Sequence, residues 1–121
     1  MILDHHDYQI FSNDEVSRSP QQHIQTACAV GNKVTQTDKW LIVGEWTGAQ
    51  TDCAKWLNGL GKGARYDGTF AGGPVYGNCQ AKYTGTVADM LPVDKTNIRM
   101  YIEAQMDAFE RHTGKRSSFV Q

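Results

Sequence analysis

The chain carries no excess of charge of either sign: 12 basic residues stand against 13 acidic ones, for a formal net charge of −1. No basic block is present, which removes the electrostatic reason to expect nucleic acid or an anionic membrane as a partner. No apolar run approaches the roughly 20 residues that a bilayer span requires. The opening residues, Met1-Ile2-Leu3-Asp4-His5-His6, have no positive leader and no apolar h-region, so no secretory signal is expected there. Cysteine is scarce, with only Cys28, Cys53 and Cys79. An odd number leaves at least one unpaired within this chain, and the lack of Cys-x-x-Cys spacing argues against a zinc site. No metal or cofactor is expected. What is present, 40% hydrophobic and 21% charged residues over 121 positions, fits a globular domain or part of one and excludes a disordered segment.

The most informative stretch is Trp40-Leu41-Ile42-Val43-Gly44-Glu45-Trp46. A short, mostly apolar run bracketed by polar residues reads as a strand buried on both faces, as in a parallel sheet covered by helices. Buried runs rarely end on a carboxylate, and the C-terminal ends of such strands are where α/β proteins place their chemistry. A lone glutamate at that position is also what a strand looks like where it simply meets water, so Glu45 needs company to count as a site.

Upstream, Met1 to Tyr8 reads as a strand in which Asp4, His6 and Tyr8 share one face. A polar loop, Ser12 to Arg18, follows. Ser19-Pro20-Gln21-Gln22 has the signature of a helix start, with Ser19 as cap, Pro20 at the first helical position and Gln22 closing a capping box. That helix is expected to bury Ile24, Ala27 and Cys28 and to end at Gly31. After the Trp40 strand, a second helix is expected to open at Thr51 or Asp52 and close at Asn58-Gly59. From Gly59 to about Val93 no period emerges, and roughly 35 residues is far above the usual loop length of about 4–6. Cys53 and Cys79 flank most of this segment; a disulfide between them would staple it, worth roughly 2–4 kcal/mol. Asp94 is expected to cap an amphipathic helix to about His112. Its apolar stripe is Ile98, Tyr101, Ile102, Met106 and Phe109, with Glu103, Asp107, Glu110 and Arg111 in water.

Strands alternating with helices imply a parallel sheet, and two strands are too few to be stable alone. The reading is therefore a piece of a larger α/β domain covering about residues 1–113. The tail, residues 114–121, breaks character after the last helix. Its Gly-Lys-Arg is compatible with translation across an intron's splice donor, and a plain disordered terminus is the alternative.

The two strand ends bring together His6, Tyr8 and Glu45. A carboxylate flanked by a histidine and a phenol can be held ionised and oriented, as a nucleophile must be. Phe11, Trp46, Trp56 and Tyr66 lie nearby in sequence, and flat apolar faces suit sugar rings. Each feature has a plainer reading as ordinary packing.

Taken in order, Asp4-His5-His6-Asp7-Tyr8-Gln9-Ile10-Phe11, Val43-Gly44-Glu45-Trp46, Thr51 to Gly59, Gly63-Ala64-Arg65-Tyr66 and Tyr101-Ile102-Glu103-Ala104-Gln105 resemble the fungal exo-β-1,3-glucanases of glycoside hydrolase family 5. The resemblance runs from about residue 2 to residue 112. It implies a partial (β/α)₈ barrel, about strands six and seven with their helices and the long loop. Glu45 matches the catalytic nucleophile at the end of the seventh strand. His6 and Tyr8 match the pair that orients it and contacts the sugar. Phe11 matches an aromatic on the leaving-group side, and Asn58 a polar contact to the bound glucose. Cys53 and Cys79 match a family disulfide, while Cys28 matches a cysteine whose partner lies beyond this chain.

The implied activity is retaining hydrolysis of β-1,3-glucan by a secreted or cell-wall enzyme, monomeric when complete. The family's acid/base glutamate sits in an Asn-Glu-Pro motif on the fourth strand, and no such motif occurs here. The eighth strand with its sugar-stacking tryptophan is missing too. The chain by itself is thus expected to be inactive. A catalytically dead β-glucan-binding remnant and an unrelated α/β interaction domain are the competing readings.

Overall fold

A computed structural model describes residues 1–34, 36–82 and 87–112. Two strands and four helices follow in the order β1 (Ile2–Asp7), α1 (Asn13–Val16), α2 (Pro20–Val34), β2 (Trp40–Trp46), α3 (Cys79–Lys82) and α4 (Pro92–His112), with a 3₁₀ turn at Val87–Asp89 before the last. The strands pair in parallel, joined through α2, which gives the expected βαβ unit. The reading of the 114–121 tail falls outside the described residues.

Local chemistry accounts for the helix starts. Ser12 and Glu15 form a reciprocal capping box at α1, inside what the sequence reading had as plain loop. At α2 the expected box is present: the Gln22 N–H donates to Ser19 Oγ and the Ser19 N–H to Gln22 Oε1. The helix does not stop at Gly31. That glycine is buried inside the last turn and α2 continues to Val34, also buried, so packing outweighs the roughly 1 kcal/mol penalty of a helical glycine. Ala27 is fully buried as expected, whereas Cys28 is exposed and unpaired. The last helix opens two residues before Asp94, at Pro92, and Asp94 is buried within its first turn. Tyr101 and Phe109 lie in the core, but Met106 is exposed, so the apolar stripe is narrower than its spacing suggested.

Helix α4 packs on α2 and on the segment leaving β2. The rings of His23 and Tyr101, both fully buried, meet at 5.4 Å. Phe109 meets Trp46 edge-on at 6.1 Å, and the Gln105 amide donates to the Thr47 carbonyl at 3.0 Å. Ile98 and Ile102 lie against Gly48, where any side chain would collide with Ile102.

Two further expectations fail. Strand β2 is not buried on both faces: Ile42 is 51% exposed and Ile2 on β1 is 58% exposed, because the described chain supplies no further strand or helix to cover them. No helix forms over 51–58. Asp52, the expected cap, is turned instead toward residues 13 and 14 positions downstream, and Trp56 adopts a left-handed φ of 65°. With Trp56 and Leu57 exposed, a helix here would have had no apolar face to bury.

Candidate active site

The register of the two strands decides what meets at their ends. Ile2 pairs with Trp40 and His5 with Val43, but His6 then pairs with Glu45, so Gly44 is an extra residue on β2. Such a bulge changes which face the following side chains take. In an unbroken register Glu45 would stand opposite Asp7, whose side chain is buried on the other face. The bulge puts it opposite His6.

On that face the Tyr8 hydroxyl donates to Glu45 Oε2 at 3.1 Å, and His6 Nδ1 lies 3.3 Å from the same oxygen. The other ring nitrogen, His6 Nε2, lies 3.2 Å from Asp4 Oδ2. Asp4 Oδ1 in turn accepts the Gly44 N–H at 2.9 Å. Asp4, His6 and Glu45 are each about half exposed, so the group opens directly onto solvent. The hydrogen bond to Glu45 raises the Tyr8 phenol above its ordinary value, keeping it a donor. Phe11 stands beside Tyr8, ring centres 5.7 Å apart and tilted by 60°, its backbone fixed by an N–H to Glu15 Oε2 bond of 2.8 Å.

Asn58 is engaged elsewhere. Its amide donates to Asp52 at 2.8 Å and to the Gly63 carbonyl at 3.0 Å, and its oxygen accepts from Arg65 at 2.6 Å. The centre of this loop is Asp52, which also accepts the backbone N–H groups of Arg65 and Tyr66 and the Arg65 guanidinium. Burial pushes the Asp52 carboxyl up, but these donors outweigh it and its pKa lies below the usual value. Cys53 and Cys79 form a disulfide that closes the same loop, with Cα atoms 5.2 Å apart. A hollow of about 480 Å³ lies over this knot, between the disulfide and Trp56, and Glu45 does not line it. Among the described residues no group of three or more His, Cys, Asp or Glu side chains could hold a metal ion. No described helix is long and apolar enough to cross a membrane.

The chain is 65% identical over 116 residues to a glucan 1,3-beta-glucosidase of Blumeria graminis, a match covering 94% of this chain and 27% of that protein. It is 50% identical over 115 residues to a probable glucan 1,3-beta-glucosidase A of Aspergillus niger, covering 94% and 28%. It is 48% identical over 109 residues to a glucan 1,3-beta-glucosidase of Pichia angusta, covering 90% and 25%. This chain is homologous to a segment of the fungal glucan 1,3-beta-glucosidases. It spans about a quarter of the length of these relatives. No protein-family model matches it.

Beside these homologous glucosidases, sequence reasoning missed Asp4 and Asp52 as organising residues. Asp4 was visible as sharing a face with His6, and a glycine inside a strand is a known signal of a bulge or close approach. Nothing in the local pattern pairs Asp52 with residues 13 and 14 positions away.

Proposed function

We propose that this chain forms the nucleophile-bearing wall of a retaining glycosidase of family 5 that releases glucose from β-1,3-glucan. The observation that carries this reading is the Glu45 carboxylate at a strand end, met on one oxygen by both Tyr8 and His6. In the proposed mechanism Glu45 attacks the anomeric carbon. Its carboxylate oxygen bonds to that carbon as the glycosidic C–O bond breaks. A second carboxylic acid, about 5–5.5 Å away in retaining enzymes, gives its proton to the departing oxygen. Water, deprotonated by that same group, then releases the sugar and frees Glu45. The acid/base group lies outside this chain, so the 121-residue chain alone turns over no glucan.

The parallel βαβ unit with a helix following its second strand supports placement as two successive units of a (β/α)₈ barrel. Phe11, standing next to Tyr8, is assigned to the leaving-group side of the sugar. Asn58 is assigned to substrate contact through the resemblance and its position in the loop after β2; with its amide hydrogens held by Asp52 and Gly63, only its oxygen can meet a sugar hydroxyl. The Cys53–Cys79 disulfide fits an extracellular or cell-wall setting. Exposed Cys28 is free to pair with a cysteine elsewhere in a longer, monomeric enzyme.

The test is glucose release from laminarin by a polypeptide extended to the full length of the relatives, compared with its Glu45→Ala variant. Release by the former, and its loss by at least about 10²-fold in the latter, is expected. A mechanism-based fluoro-sugar should label Glu45; label on another residue overturns the assignment. A β-glucan-binding role without turnover draws support from the partly exposed Trp46 and the exposed Trp56. It predicts quenching of tryptophan fluorescence by laminari-oligosaccharides and no glucose from the extended polypeptide.

A further inference from the structure

The two strand ends do not meet in register by backbone pairing alone. After His5 the ladder slips by one residue, and the slip falls at Gly44. A bulged N–H needs an acceptor, because the neighbouring strand no longer offers one in line. At Gly44 that acceptor is the Asp4 carboxylate, whose Oδ1 lies 2.9 Å from the nitrogen. The approach is close enough that a Cβ at Gly44 would fall 2.5 Å from the same oxygen, so a side chain there would push the Asp4 carboxylate off the N–H. The other Asp4 oxygen lies 3.2 Å from His6 Nε2. One carboxylate therefore touches both things that bring Glu45 to the site: the bulge that turns it to this face and the imidazole that receives it.

The hydrogen-bond arithmetic at His6 sharpens the role. Its two ring nitrogens face Asp4 Oδ2 and Glu45 Oε2, and both oxygens are acceptors when ionised. Only a ring with a proton on each nitrogen satisfies both at once. A carboxylate at position 4 thus sets an acceptor against Nε2 and favours a proton on that nitrogen. The groups around this ring are Asp4, Glu45 and Tyr8, the last donating to the same Glu45 oxygen.

We infer that Asp4 is a positioning residue for Glu45, acting through the Gly44 bulge and through its contact with His6 Nε2. This rests on the reading of Glu45 as nucleophile, but its structural half stands without it. Asp4→Asn separates the two tasks. The Asn oxygen can still accept the Gly44 N–H, which turns its NH₂ toward His6 Nε2 and obliges that nitrogen to become an acceptor. Asp4→Ala removes both tasks.

The experiment measures the imidazole nitrogens of His6 and the Gly44 amide by heteronuclear NMR in the 121-residue chain. In the wild type, a proton on Nε2 and a protected Gly44 amide are expected. Asp4→Asn should take the proton off Nε2 and leave one on Nδ1, while Gly44 stays protected. Asp4→Ala should expose the Gly44 amide to exchange. An unchanged ring in Asp4→Asn, or an unchanged amide in Asp4→Ala, overturns the inference, and Asp4→Asn keeps it decidable if the alanine variant does not fold.

In the extended polypeptide, Asp4→Ala, which leaves the Gly44 N–H without its acceptor, should lower kcat by about 10-fold or more with little change in KM, the mark of a displaced nucleophile. Unchanged kcat in an active enzyme overturns the positioning role. If the NMR results hold while even the wild-type extended polypeptide releases no glucose, the glucosidase reading falls and the positioning of Glu45 by Asp4 remains.

Discussion

A fully buried histidine shows most directly how one side chain can set the response of the whole chain to pH. His23 is fully buried on α2, its Nδ1 3.1 Å from Gln9 Oε1, an oxygen that also accepts from Arg18 at 3.3 Å. Because that oxygen is an acceptor, Nδ1 carries the proton and Nε2 does not. Nε2 has no hydrogen-bond partner among the described residues. Burial and the nearby Arg18 charge lower its pKa from 6.5 to about 4, opposed by the Gln50 backbone and Glu15. The unfolded chain therefore takes up a proton at this position more readily than the folded one. Stability attributable to His23 is complete above about pH 6.5 and falls as the pH drops toward 4, by at most about 1.4 kcal/mol per pH unit. Asp7 acts with the opposite sign: burial raises its carboxyl, so its protonation in acid offsets part of the loss. Denaturant midpoints measured from pH 7.5 to 4.5 should decline in the wild type. His23→Asn, which keeps a donor near the place of Nδ1, should start lower but decline less steeply. Parallel declines would remove His23 as the cause.

Among the elements, the strand ends and the loop behave differently. Gly44→Ala would set a methyl carbon against the Asp4 carboxylate at 2.5 Å, displacing it or flattening the bulge. Either result separates Glu45 from His6 and Tyr8. A loss of stability of about 1–3 kcal/mol is expected by denaturant titration. In the extended polypeptide kcat should fall more than the stability change alone would suggest. A variant with wild-type turnover would show that the bulge is incidental. The loop is held by chemistry distant in sequence: Asp52 reaches residues 65 and 66, and the disulfide joins positions 26 apart. Reduction should therefore speed proteolytic cleavage within residues 59–63, while α2 and α4 resist; uniform cleavage along the chain would count against a separately stapled loop.

This contrast explains what could be read from the sequence. The α2 cap, the β1 and β2 strands and the shared face of Asp4, His6 and Tyr8 follow from neighbours within a few positions. The fate of Asp52–Asn58 did not, because a cap signal looks the same whether its carboxylate serves its own segment or a distant one. Gly31 misled for a related reason: only burial, invisible locally, carries α2 through it.

At the scale of the molecule, the sheet presents apolar side chains that nothing in the described chain covers. Ile2 and Leu3 on β1, with Trp40 and Ile42 on β2, are exposed in a sheet of only two strands. Isolated sheets of that size are marginal in water, and packing on helices or further strands is what stabilises them. The polar character of the inner core points the same way, since Gln9, His23 and Gln105 are among its most buried side chains. Polypeptides as long as the relatives, of which this chain covers about a quarter, have ample sequence to supply covering strands. The 121-residue chain alone should accordingly bind a hydrophobic dye such as ANS and unfold at low denaturant over a shallow transition. The extended polypeptide should lose most of that dye binding and unfold at a higher midpoint. Its m-value should also be larger, because m rises with the surface exposed on unfolding. Substituting Ile42→Asn, which sets no like charge opposite Asp4, separates the causes: on an exposed face it should cost little in the 121-residue chain. In the extended polypeptide, where that face is covered, it should cost about 1–3 kcal/mol, the penalty of an unsatisfied buried amide. Equal tolerance in both lengths would mean that this face of β2 stays in water and that the barrel placement of these two strands is wrong.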